Sequence, residues 1–317
     1  MKVKILLSLC CSAMIAMPSA AVSADNAAPT IRQQLDPELQ QRLDARIKQL
    51  KLVKAVRQKR LSVTLVDVTD ASRPSMAQVN GDEMMYAASL PKIAILLAAF
   101  ERIAEGKLAL NEQTRETMIR MIRYSSNTAA TEMIRMVGGD YINRVLTSPK
   151  YKLYDPRHNG GLWVGKEYAK GSAFHRDPLH HLSHGATALQ VARFYYMLET
   201  GRLVSPKYSR EMKSILSKPG INHKFVKGLA TRYPDVSIYR KSGSWRNFHA
   251  DSALIEHNGR RYIAVALAND PKGGEWMARL IGEMDDIIFK HAGFASADAA
   301  APQIVSSRSI TAANNLM

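Results

Sequence analysis

The sequence predicts an α+β fold: an antiparallel sheet flanked by N- and C-terminal helices, with an all-helical lobe inserted between its strands. Three observations predict it. Strand patterns occur early, at 61–68, and late, at 236–269. The stretch between them is largely helical in period. Residues 93–100 are apolar on every side, and a helix without a polar face must lie in the middle of a domain.

Each element follows from local chemistry. Residues 36–58 form an amphipathic helix pattern, with Asp36 as its cap, Pro37 in the first turn, and Leu39, Leu43, Ile47, Leu50 and Val53 three or four apart. In 61–68, Leu61, Val63 and Leu65 alternate with Ser62 and Thr64, the period of a strand. Turn formers Ser72, Pro74, Asn80 and Gly81 bracket a second strand near 76–79. The apolar helix starts near Ser89 and stops at Gly106. Residues 112–137 are helix, interrupted by Ser125-Ser126-Asn127. Residues 154–186, rich in glycine and histidine, read as a long loop, and 187–201 return to helix. Strands are expected from Val236, from His249 to His257 and from Arg261 to Ala268, with Asn258-Gly259 as the hairpin corner between the last two. Residues 274–290 place Trp276, Leu280, Ile281, Met284, Ile287 and Ile288 on one helical side. No internal repeat is visible.

The N-terminus reads as an export signal. Lys2 and Lys4 precede a short apolar run at 5–17, and small residues lead to Ala24. The expected organisation is therefore a signal peptide at 1–24, a linker at 25–35, one domain at 36–293 and a disordered tail at 294–317. A periplasmic or secreted protein is expected, without stable membrane insertion once the signal is cleaved. Both cysteines, Cys10 and Cys11, fall in the signal, so the mature chain has no disulfide, cysteine nucleophile or cysteine-based zinc site. The net charge of +16 becomes +14 without Lys2 and Lys4. The basic residues are spread along helix faces rather than interleaved with aromatics, so a nucleic-acid partner is not expected.

Three short motifs carry the chemistry. In Ser89-Leu90-Pro91-Lys92, serine and lysine share a helical face, and lysine can take the proton that makes the hydroxyl a nucleophile. A helix start also favours developing negative charge. In Ser125-Ser126-Asn127, the first hydroxyl can relay a proton and the amide can orient a substrate carbonyl; helix capping is the alternative for these residue types. In Lys241-Ser242-Gly243-Ser244, the cation and hydroxyl can hold a carboxylate, Gly243 allows close approach, and the Ser244 and Ser89 N–H groups can form an oxyanion hole.

Each motif is weak alone. Their order, SxxK then S-x-N then K-[ST]-G, resembles that of class A β-lactamases and penicillin-binding proteins, from about residue 36 to 293. The resemblance implies a β-lactamase/transpeptidase-like fold and an acyl-enzyme pathway with no metal or organic cofactor. Its catalytic residues would be Ser89, Lys92, Ser125 and Lys241. Asn127, Ser242, Gly243, Ser244 and Arg246 would bind a small-molecule β-lactam or a peptidoglycan peptide. The expected activity is β-lactam hydrolysis, with a D-alanyl-D-alanine carboxypeptidase or penicillin-binding protein as the alternative and a non-catalytic ligand-binding relative as a third reading. A monomer is expected.

Three features depart from the family pattern. Ser126 stands where the family usually has Asp. Ser89 and Ser125 are only 36 positions apart, fewer than is typical of class A enzymes. No clear E-x-x-L-N motif, which carries the family's deacylating glutamate, precedes residue 187. Glu167 is the candidate for that role and Asp177 the second. His158, His175, His180, His181 and His184 also raise a metal-site alternative, since His180 and His184 are four apart and Asp177 is near. A hydrogen-bonding polar loop is the preferred reading, because no glutamate lies between the pair.

Overall fold

A computed structural model describes residues 30–297, with side chains through 289. The expected signal and parts of the expected linker and tail lie outside the described residues.

The chain first lays down α1 (Pro37–Gln49) and α2 (Val53–Arg57). Asp36 caps α1, accepting from the Glu38 and Leu39 N–H groups at 2.9 and 3.0 Å. The single helix expected over 36–58 breaks at Lys51, whose φ is 61°. Leu50 and Leu52 are both buried, and the left-handed residue between them turns the chain so that both reach the core.

Strands β1 (Leu61–Asp67), β2 (Ser75–Val79) and β3 (Met85–Tyr86) lead into the apolar α3 (Lys92–Ala104). The lobe continues through α4 (Glu112–Arg123), α5 (Asn127–Val137) and α6 (Gly139–Thr147). Short strands β4 (Tyr154–Asp155), β5 (Gly160–Gly161), β6 (Trp163–Val164) and β7 (His184–Ala186) follow, then α7 (Ala188–Glu199), α8 (Pro206–Leu216) and α9 (Phe225–Ala230). The chain closes with β8 (Ser237–Trp245), β9 (Phe248–His257), β10 (Arg260–Asn269) and α10 (Gly273–Ala297).

The main sheet has the order β2-β1-β10-β9-β8. The early strand β1 pairs antiparallel with the last strand, from Leu61 opposite Ala268 to Asp67 opposite Tyr262. The expected hairpin joins β9 to β10, with Asn258 at φ 46° and Gly259 at φ 73° between the His257–Arg260 pair. One sheet face carries Leu61, Val63, Leu65, Tyr262, Ala264 and Ala266 against α1 and α10. The other carries Ile263, Val265 and Leu267, which join the core of the helical lobe. Residues 93–100 are buried without exception, as their composition predicts. β8 is left as the edge strand on the lobe side, and that placement brings its motif to the site.

Three expectations change. The last residues of the expected linker are docked: Ile31 is buried, Arg32 pairs with Asp82 at 2.7 Å, and Leu35 bridges to Met76. The expected loop at 154–186 contains four short strands. Gly161, at φ 147°, brings its backbone so close to Leu153 that a Cβ would sit 2.1 Å from the Leu153 carbonyl oxygen; such pairing leaves no alternating pattern to read. The expected tail at 294–317 begins as helix, since α10 runs to Ala297. Among the described residues, no helix is long and apolar enough to cross a membrane.

The packing of α10 on the sheet is directly testable. Leu280 is fully buried there. Leu280→Ala is expected to cost about 2–5 kcal/mol of stability, read as a lowered urea midpoint with an unchanged slope.

Candidate active site

Ser89 sits just ahead of α3, in a run of tight turns. Leu90 N–H donates to the Ala87 carbonyl at 3.0 Å and Lys92 N–H to the Ser89 carbonyl at 3.3 Å. The helix starts at Lys92, so Ser89 lies in the lead-in turn and not on the helix itself. Ala88 before it has φ 50°, a left-handed value disfavoured for a side chain with a Cβ. The Ser89 side is half-buried, whereas Lys92 is fully buried.

The Lys92 ammonium donates to the Ser125 carbonyl at 2.6 Å and to Asn127 Oδ1 at 2.8 Å, and lies 3.5 Å from Ser125 Oγ. Lys241, from the edge strand, donates to the same Ser125 Oγ at 2.9 Å. One hydroxyl therefore stands between two buried amines. Ser125 is held there by a φ of 56° between α4 and α5. Ser126 caps α5, its Oγ accepting from Ala129 N–H at 3.2 Å, so of these serines only the first serves the site. Burial lowers the Lys92 pKa from its ordinary 10.5 to about 7. Burial also takes Lys241 well below the ordinary lysine value, and the nearby positive charge of Lys92 adds to the effect.

Gly243 couples β8 to the serine turn. A Cβ there would lie 2.2 Å from the Ala87 carbonyl oxygen and 2.7 Å from the Ser89 nitrogen, so only glycine permits this backbone-to-backbone approach. Beneath the strand, Arg240 grips Asp251 through two bonds of 2.8 and 2.7 Å, with both side chains buried. Lys224, also buried, donates to the Gly243 carbonyl at 2.6 Å, to Ser244 Oγ at 2.8 Å and to the Ala250 carbonyl at 3.0 Å. Burial lowers its pKa to about 8.

A cleft of about 760 Å³ opens over this arrangement. Ser89, Asn127, Glu167, Ser244 and Arg246 line it, while Lys92, Ser125, Lys241, Ser242 and Gly243 lie behind or beside the lining. Arg246 occupies the turn between β8 and β9 with φ 50°, beside the exposed Trp245.

The chain belongs to the beta-lactamase enzyme family. The family's sequence profile, described as Beta-lactamase2, matches residues 42–118 and 113–292. A comparison with curated protein sequences finds no match. The fold is similar to a β-lactamase from Sphaerobacter thermophilus, with 17% identity and a TM-score of 0.61 over 78% of this chain and 98% of that one. It is also similar to the protein PBP-A, with 20% identity and a TM-score of 0.61 over 83% and 100% of the two chains. A class A β-lactamase from Bacteroides cellulosilyticus gives 16% identity and a TM-score of 0.60 over 82% and 100%. As a member of this family the chain is a β-lactamase-like serine hydrolase acting on amide bonds.

Within that family frame, the carboxylate candidates have specific surroundings. Glu167 reaches the cleft, but its two oxygens accept from Arg135 Nε and Nη2 at 2.8 Å each, and this pairing holds its carboxyl below the usual range. Asp177 is buried away from the cleft lining. It accepts from the N–H groups of Leu179, His180 and Leu182 and from the Tyr154 hydroxyl, so it shapes its own loop. The histidines do not gather. His180 Nε2 meets Asn159 Oδ1 at 2.9 Å, His184 Nε2 meets the Lys166 carbonyl at 3.0 Å, and His175 and His181 are exposed. Among the described residues, no group of three or more His, Cys, Asp or Glu is arranged to hold a metal.

Sequence reasoning missed three contributors: Tyr168, whose ring lies 4.4 Å from the Lys92 ammonium, Lys224 under β8, and the Arg240–Asp251 pair. Asp251 offered a signal, as an acidic residue in an otherwise apolar strand pattern; Tyr168 and Lys224 offered none.

The pair also sets an expected stability effect. Asp251→Asn leaves the buried Arg240 guanidinium without its countercharge. It is expected to destabilise the fold by about 3–5 kcal/mol in urea denaturation.

Proposed function

We propose that Ser89 is the nucleophile of an acyl-enzyme pathway acting on β-lactams. The observation that carries this reading is the Ser125 hydroxyl, 2.9 Å from the Lys241 amine and 3.5 Å from that of Lys92. A neutral Lys92 takes the Ser89 proton as the oxygen attacks the amide carbonyl. The oxyanion is held by the Ser89 and Ser244 N–H groups. The proton then passes through Ser125 to the departing nitrogen, while the side of the cleft that carries Arg246, with Lys241 and Ser242 behind it, receives the substrate carboxylate. Asn127 aligns the substrate amide and fixes Lys92. We further propose that residues 1–24 export the chain and that it works in the periplasm or outside the cell.

A second reading is favoured by one observation. Glu167 is the one carboxylate among the described cleft-lining residues, and Arg135 occupies both of its oxygens. With no free base beside the acyl ester, deacylation is slow. The protein then behaves toward β-lactams as a penicillin-binding protein, and a D-alanyl peptide becomes the natural substrate.

Intact-protein mass spectrometry with benzylpenicillin tests both. Wild type is expected to gain one penicilloyl mass and Ser89→Ala none; equal labelling of the two proteins would falsify the nucleophile assignment. An adduct that persists for many minutes supports the peptide reading, and rapid release with accumulating hydrolysed product supports β-lactam turnover.

The acylation rate has an expected pH dependence with a definite sign. Lys92 serves as a base only when neutral. Because burial brings its pKa down to about 7, the rate should rise from pH 5.5 through 7 and level off above 8, instead of continuing upward toward 10. Stopped-flow acylation by a chromogenic cephalosporin reads this directly.

A further inference from the structure

We infer that Tyr168 seals the Lys92 amine from water in the acyl-enzyme and so sets the lifetime of that intermediate; this rests on the acylation of Ser89 proposed above.

Tyr168 is fixed at both ends. Its hydroxyl donates to the carbonyl of Ala88, the residue preceding Ser89, at 3.1 Å. Its ring face lies 4.4 Å from the Lys92 ammonium. The imidazole of His184 backs the ring at 4.2 Å between centroids, itself held by the Lys166 carbonyl at 3.0 Å. Burial lowers the His184 pKa to about 4, so this backing stays neutral at working pH.

The ring is also a partition. Tyr168 lines the active cleft and a second hollow of about 800 Å³ beside α5, whose other lining residues are Thr128, Thr131, Glu132, Arg135, Met136 and Ala169. The amine is otherwise enclosed: the Ser125 carbonyl and Asn127 Oδ1 take its hydrogen bonds, and Ser125 Oγ lies beyond at 3.5 Å. The tyrosine ring that lies against the amine is also part of the second hollow's lining. On this inference, removing the ring would open a path for water from the second hollow to Lys92.

Lys92 is the amine that could then serve as a hydrolytic base. Water oxygen bonds to the acyl carbon while Lys92 takes a water proton. The bond from the acyl carbon to Ser89 Oγ breaks, and Lys92 returns the proton to that oxygen, releasing the free acid and restoring the enzyme. Tyr168 forms no bond in this sequence; it is a positioning residue that controls access.

The experiment measures acylation and adduct decay separately, with fluorescent penicillin, on the full chain and on Tyr168→Phe, Tyr168→Leu and Tyr168→Ala. Phenylalanine keeps the ring, so its adduct should decay within twofold of wild type. Leucine and alanine open the partition, so their adducts should decay at least tenfold faster, whatever change they make to the acylation rate. Damage to the fold would slow both steps and would not produce a gain in deacylation; leucine, which keeps the space partly filled, carries the measurement if alanine does not fold. Wild-type decay rates in both open variants overturn the seal and leave Ser89 acylation standing. Decay in Tyr168→Phe as fast as in Tyr168→Ala also overturns it, since the ring would then not be the barrier. No adduct on wild type overturns both the seal and the acylation on which it rests.

Discussion

The site depends on two lysine amines being buried against a single serine hydroxyl. Lys92 and Lys241 come from a helix and a distant strand, and both have surrendered most of their hydration. Like charges in a low-dielectric interior repel strongly, and the arrangement is tolerable because burial favours the neutral amine. The chemistry thus follows from the packing. A lysine at its ordinary pKa is a poor base near neutral pH; the enclosure that holds both amines also lowers their pKa, which is what the proposed role of Lys92 requires. Ser125 makes the pairing specific, since its hydroxyl gives both amines a polar neighbour that a purely apolar pocket would not supply.

The surrounding frame can be read as the means of keeping that geometry. Gly243 lets β8 lie directly against the Ser89 turn, and Lys224 ties the carbonyls of Gly243 and Ala250 together from below. The Arg240–Asp251 pair anchors the same strand. Asp251 also accepts from the N–H groups of Phe225 and Ser252, so its carboxylate is satisfied on every side and the buried charges are matched by hydrogen bonds as well as by each other. Arg240 and Lys224 share this single carboxylate, and the exposed Arg246 adds positive charge at the cleft, which suits an anionic substrate.

The opposite wall of the cleft is unlike the rest. It is formed by 166–170 and is held by Arg135 on Glu167 and by Tyr168 on Ala88 and Lys92. Both contacts fix groups that hydrolysis of an ester would need free, one a carboxylate and the other an amine. On the proposed pathway, the wall that completes the site for acylation would also restrain the following step, because the one carboxylate among the described cleft-lining residues is engaged by Arg135.

The sequence by itself determined the elements and the order of the motifs. Period and turn chemistry are local, so β1, the β9–β10 hairpin, the buried α3 and the Ser89, Ser125 and Lys241 motifs were legible from neighbouring residues alone. The short strands at 154–186 and the docking of Ile31 were not, because close glycine packing and a single buried side chain leave no period. Only the tertiary structure decided who meets whom. Lys241 reaches Ser125 across 116 positions and Arg135 reaches Glu167 across 32, and such contacts are set by how sheet and lobe pack, to which no local pattern points. The same packing placed Tyr168 over Lys92 and turned Asp177 into its own loop, choices among many chemically equivalent side chains that depend on three-dimensional proximity.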